Sequence, residues 1–183
     1  MFEELLSRLA TALNGAKIPY MVIGGQAVLL YGEPRLTRDI DLTLGIGPDE
    51  VNQLIDLLPS LELSALTQNP QEFVEETMVL PCQDKKTGIR VDFIFSLSSY
   101  EKEALNRAKK IKMGTVEIRF ASIEDLIIHK TIAGRPRDWE DVERVLSKNP
   151  QTDIPFIEIQ LTAFEQNLDR PLLEPFRKLL KGK

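Results

Sequence analysis

Along the first third of the chain, apolar positions alternate between two periods. Phe2, Leu5, Leu6, Leu9 and Leu13 recur at helical spacing with Gly15 just beyond, which predicts an amphipathic helix and its stop. Tyr20 to Ile23 is a short apolar run that predicts a buried strand, followed by Gly24-Gly25 as a tight turn and Gln26 to Tyr31 as the first turns of a helix. Gly32 and Pro34 end that helix, and a second strand is expected from about Thr37. A helix from Pro48 carries Val51, Leu54, Ile55 and Leu58 and stops at Pro59.

Further on, Glu75 to Leu80 is read as a strand, and Ile89 to Phe95 as a stronger one from its β-branched and aromatic content. Tyr100 to Ala108 predicts a helix, and Lys110 to Phe120 a hairpin broken at Met113-Gly114. Ser122 has the position of a helix cap, with Asp125 three residues on. Arg137 to Leu146 and the Leu- and Phe-bearing tail beyond Pro150 complete a helical C-terminal part. The pattern is a mixed α/β half followed by a helical half, with a soft boundary that assigns residues 1–121 to a core and residues 122–183 to the helical region.

Composition narrows the setting. With 183 residues, 43% of them hydrophobic, the chain can bury a self-sufficient core. The single cysteine, Cys82, excludes an internal disulfide, and neither an N-terminal leader nor an apolar run of membrane-spanning length is visible, so a cytoplasmic protein with no membrane partner is expected. A net charge of −5 argues against broad electrostatic attachment to nucleic acid, although Arg107, Lys109, Lys110, Lys112, Arg135 and Arg137 offer a local basic cluster.

The candidate chemistry lies in Asp39-Ile40-Asp41-Leu42. In a strand, Asp39 and Asp41 share one face while Ile40 and Leu42 point into a core. Two carboxylates held side by side repel unless a cation neutralises them, and hard oxygen ligands select Mg2+ or Mn2+. Strand, Gly-Gly, short helix and paired-carboxylate strand together put an unhindered backbone and a helix N-terminus beside those acids, which suits a triphosphate. A third acid, Asp92, interrupts an otherwise apolar strand, and acids in such places are commonly paired or metal-bound.

Gly24-Gly25, Asp39-Ile40-Asp41 and Val91-Asp92-Phe93, in this order, resemble the nucleotidyltransferase superfamily related to DNA polymerase β. The fuller string, with Gln26-Ala27, Arg35-Leu36-Thr37-Arg38, Lys130, Arg137-Asp138 and Asp141, looks more narrowly like the AbiEii-type enzymes, a group that includes toxins of toxin-antitoxin systems. The resemblance implies a nucleotidyltransferase fold, a short mixed sheet flanked by helices, and divalent-metal catalysis. It assigns Asp39, Asp41 and Asp92 to metal binding and catalysis, and Gly24, Gly25, Gln26, Arg35, Lys130 and Asp138 to the nucleotide. Arg35 has two readings, phosphate contact or loop brace. Lys130 also has two, a snorkelling side chain or, with Asp138, a triphosphate contact. His129, the one histidine, is read as packing or a helix-end hydrogen bond rather than a catalytic base. The implied substrate is a nucleoside triphosphate such as ATP, and the implied acceptor a tRNA or a partner protein, with a cognate antitoxin as a further partner. The alternatives are nucleotidylation of a small antibiotic and a non-catalytic nucleotide-sensing module. Gln26 departs from the small or hydroxylic residue common after the glycines, and no large C-terminal helical domain is expected within these 183 residues. Both departures bear on the acceptor more than on the fold.

Overall fold

The computed structural model describes residues 1–96 and 98–182. The apolar stripe near the N-terminus forms α1 (Phe2–Gly15), which buries Leu5, Leu6, Leu9, Ala10 and Leu13. The chain continues through β1 (Tyr20–Ile23), α2 (Gly24–Tyr31), β2 (Asp39–Leu44), a 3-10 turn (Pro48–Glu50), α3 (Val51–Ile55), β3 (Leu63–Ala65), α4 (Pro70–Thr77), β4 (Val79–Asp84) and β5 (Arg90–Phe95). It then forms α5 (Ser99–Arg107), β6 (Lys109–Met113), β7 (Val116–Phe120), α6 (Ile123–Ala133), α7 (Pro136–Lys148), α8 (Ile154–Leu168) and α9 (Leu173–Lys181).

Among the described residues, seven strands make one mixed sheet in the order β3-β4-β5-β2-β1-β7-β6. β1 runs antiparallel to β2 and parallel to β7, while β2 and β5 are parallel. Met21 on β1 packs with Ala104 and Leu105 of α5 and with Ala121, and Ile23 and Tyr100 lie against that cluster.

Two compact units result, one of Met1–Ala27 with Leu36–Ala121 and one of Val28–Arg35 with Ser122–Lys183. The first holds the sheet. In the second, the Ser122 hydroxyl accepts from the Asp125 N–H at 3.1 Å and caps α6, and α6 packs against α7 and α8. The end of α7 grips the 28–35 segment, because Asn149 Nδ2 donates to the Tyr31 carbonyl at 2.8 Å and Lys148 Nζ to the Gly32 carbonyl at 3.0 Å.

Several local expectations need correction. Glu75 to Leu80 is not one strand: Glu75 to Thr77 finish α4, Met78 turns through φ 62°, and the strand starts at Val79. Asn69-Pro70 opens α4, since proline suits the first helical turn, and Phe73 and Val74 then sit within that helix. β3 has too few residues to show a period. Gly24 and Gly25 belong to the first turn of α2 rather than to a separate turn, and β2 begins at Asp39, leaving Thr37 and Arg38 before it.

Candidate functional site: an acid face on β2 and β5

Ile40 and Leu42 are fully buried, whereas Asp39 and Asp41 on the opposite face of β2 are part-exposed. The parallel register sets Asp39 beside Arg90 and Asp41 beside Asp92, so these four side chains share one face of two neighbouring strands. On β1, Ile23 stands opposite Asp41. The next residue, Gly24, has φ +61°, and a Cβ there would lie 2.1 Å from Asp41 Oδ2. Glycine is therefore required twice over, for its dihedral and for the space that the carboxylate fills.

The start of β2 is braced from both sides. Gln26 Nε2 donates to the Asp39 carbonyl at 3.4 Å, and the Thr37 hydroxyl donates to Asp39 Oδ1 at 3.1 Å. Arg90 Nε donates to both oxygens of Asp92, at 2.8 and 3.0 Å. That hydrogen bond, followed by the charges of Asp92, Asp39 and Asp41, holds the Arg90 guanidinium above its ordinary pKa. On β4, Cys82 is buried opposite Val91, and its thiol is pushed up to about 12 by burial and then by the Asp92 charge.

Among the described residues, no three carboxylate, imidazole or thiolate groups are gathered as a ready-made metal cage. Asp39, Asp41 and Asp92 face the same way without converging, and the cation beside Asp92 is Arg90. The donor chemistry nevertheless fits a hard divalent cation: all three groups are carboxylates, they are part-exposed, and the glycine at position 24 keeps the space beside Asp41 clear of any side chain of its own.

The remaining candidates sit together in the second unit. Arg35 pairs with Asp141 through Nε at 2.9 Å and Nη2 at 3.0 Å. Lys130 Nζ lies 3.0 Å from Asp141 and 2.7 Å from Asp138, whose other oxygen accepts the Arg135 N–H at 3.2 Å. Two cations and two carboxylates thus neutralise each other in a largely buried chain. Gly24, Gly25, Gln26, Asp39, Asp41 and Asp92 belong to the first unit, and Arg35, Lys130 and Asp138 to the second. Thr37 stands in the family-like string without a role of its own, and Arg90 stands outside it. Arg90 carried a usable signal, since it stands two residues before Asp92 in the same strand and must share its face. Of the basic cluster, Lys109, Lys110 and Lys112 are exposed on the edge strand β6, while Arg107 pairs with Glu103 at 3.7 Å.

A mixed sheet flanked by helices, with paired aspartates on a strand reached through a Gly-Gly helix start, defines the nucleotidyltransferase fold. Residues 2–169 match the family described as "Nucleotidyltransferase of unknown function (DUF6036)", and the chain belongs to that family. No curated protein matches it.

Similar solved structures include the antibiotic-resistance factor ANT(2'')-Ia in solution, with TM-score 0.64 and 16% identity over 91% of this chain and 92% of that one. An antigenic nucleotidyltransferase-like protein from Paracoccidioides brasiliensis aligns over 99% of this chain and 92% of its own, with TM-score 0.61 and 16% identity. The lincosamide antibiotic adenylyltransferase LnuA aligns over 79% of this chain and 96% of its own, with TM-score 0.55 and 15% identity. At such identities the likeness is one of fold. No helix among the described residues is long and apolar enough to cross a membrane.

Proposed function

We propose that this chain is a Mg2+- or Mn2+-dependent enzyme that transfers a nucleoside monophosphate from a nucleoside triphosphate to an acceptor hydroxyl, releasing pyrophosphate. The observation that carries this reading is the register that sets Asp41 beside Asp92, with Asp39 on the same face and Gly24 against Asp41. Asp39, Asp41 and Asp92 would hold the metal, which supplies charge neutralisation for the entering and leaving oxygens. The first turn of α2, from Gly24 through Gly25 to Gln26, offers backbone N–H groups to phosphate. The acceptor oxygen forms a bond to the α-phosphorus as the bond to the β-phosphate oxygen breaks, and Asp92 takes the proton of the attacking hydroxyl. In the second unit, Asp138 and Asp141 steady Lys130, Arg35 shares Asp141, and Lys130 keeps one donor for phosphate beyond its two ion pairs.

For the acceptor, the AbiEii-like residue string supports a toxin acting on tRNA or on a protein, with an antitoxin as partner. A second reading, a small hydroxylated antibiotic, is supported by the fold alignments with ANT(2'')-Ia and LnuA. The test is incubation of the protein and Mg2+ with each α-labelled nucleoside triphosphate in the presence of tRNA, cell protein, an aminoglycoside or a lincosamide. Label on one acceptor class with matching pyrophosphate release supports transfer and names the class. Tight nucleotide binding with no pyrophosphate from any combination would reassign the chain to the nucleotide-sensing class.

A further inference from the structure

We infer that Arg90 is a resident counter-cation of the acid face, holding Asp92 when no divalent cation is bound and competing with that cation for the carboxylate. This rests on the reading of Asp39, Asp41 and Asp92 as metal ligands.

Three observations lead to it. First, Arg90 and Asp92 alternate with buried Val91 on β5 and so lie on the same face, and one N–H of Arg90 is shared between both Asp92 oxygens at 2.8 and 3.0 Å. Those are the atoms a metal would use. Second, the register makes a square of Asp39, Asp41, Asp92 and Arg90, in which the arginine is the one cationic corner among three acids. Third, the Arg90 side chain is 54% exposed while that of Asp92 is 17% exposed. The acid is held in place by its strand, and the arginine reaches it from solvent. Moving the guanidinium off Asp92 therefore uncovers little apolar surface, and the backbone ladder between β2 and β5 does not depend on it.

The consequence is a threshold. Without nucleotide, Arg90 offsets the mutual repulsion of the acids and weakens their attraction for a free cation. A metal that arrives with triphosphate oxygens brings additional ligands and overcomes the competition. Two unit charges a few ångströms apart at a half-exposed site interact strongly enough to change affinity by about tenfold.

The experiment is titration of Mn2+ into the full chain without nucleotide, followed by calorimetry and by electron paramagnetic resonance of the free ion. It compares wild type, Arg90→Gln, Arg90→Lys and the double variant Asp39→Asn/Asp41→Asn, with thermal melts to show that each is folded. The inference expects Arg90→Gln to bind Mn2+ about tenfold more tightly, with Arg90→Lys close to wild type. A gain in affinity is a result that mere structural damage does not produce. Equal or weaker binding by Arg90→Gln, alongside loss of binding in the double variant, overturns the competition and leaves the metal-site reading standing. Binding that is absent in wild type, or unchanged in the double variant, overturns both.

Discussion

Asp41 Oδ2 occupies the place beside Gly24 where a side chain would begin, 2.1 Å from the position of a Cβ. The turn at Gly24 and the carboxylate are therefore built against each other. Gly24→Ala must adopt φ near +61° and displace Asp41. It should lose about 1–2 kcal/mol of stability from the left-handed backbone alone. Nucleotide affinity should fall as well. Urea unfolding and calorimetric titration read the two effects; unchanged affinity would move the phosphate loop elsewhere.

Replacing both Asp39 and Asp41 with asparagine removes two like charges from one strand face and leaves Ile40 and Leu42 in the core. The melting temperature in chelator should change little. The rise that Mg2+ with nucleoside triphosphate gives the wild type should disappear, since only ligand bound to the native state raises it. A full ligand-induced rise in the variant would separate these acids from nucleotide binding.

The ion-pair chain of the second unit should behave differently. Asp141 is 1% exposed and serves both Arg35 and Lys130. Asp141→Ala leaves two cations with too little compensation, at a cost of about 3 kcal/mol in chemical denaturation. The exposed Lys86–Glu4 pair is the contrast, and Glu4→Gln should leave the denaturation midpoint nearly unchanged. Similar midpoints for the two variants would show that the buried chain adds no stability.

Alkaline pH tests the interior. Burial, aided by the Asp92 charge, pushes the Cys82 thiol up from 9.0 to about 12, and burial with Glu124 and Asp125 pushes the Tyr31 phenol up from 10.0 to about 12. Both groups keep their protons in the folded chain over a range in which the unfolded chain has lost them. The contribution of these two groups to stability should therefore be level below pH 9.0 and fall as pH rises towards about 12. Cys82→Ala should shallow the decline in unfolding midpoint measured across that window. An identical slope would show that the thiol does not contribute.

The exposed lysines of β6 test the acceptor. If the acceptor is tRNA, Lys109→Glu, Lys110→Glu and Lys112→Glu together should reduce transfer and its salt dependence while leaving Mg2+-nucleotide affinity intact, because phosphate contacts weaken steeply as salt rises. Transfer to tRNA at the wild-type rate and salt slope would exclude this strand edge from the acceptor surface. On an edge strand, exposed lysines also discourage pairing with another chain, so the same variant should be checked for self-association by light scattering.

Local pattern by itself determined the elements whose signals are local. The 3.6-residue stripe of α1, the apolar run of β1, the Ser122 cap and the hairpin at Met113-Gly114 each depend on residues a few positions apart. The same holds for the split of Asp39 and Asp41 from Ile40 and Leu42, which follows from the alternation of any strand. Short or half-apolar segments were less legible. β3 is too brief to show a period, and the apolar residues around Glu75 to Leu80 are shared between the end of a helix and the start of a strand.

Long-range pairing was not legible from periodicity, and the grouping of Asp92 with Asp39 and Asp41 came from the family resemblance alone. Only the sheet register set Arg90 beside Asp39 and Asp92 beside Asp41, and only the packing of the second unit joined Arg35 to Asp141, 106 residues away. A strand's own alternation says which residues share its face. It cannot say which strand lies alongside or how far it is shifted, because that is decided by hydrogen bonds and buried contacts made after the chain has closed on itself.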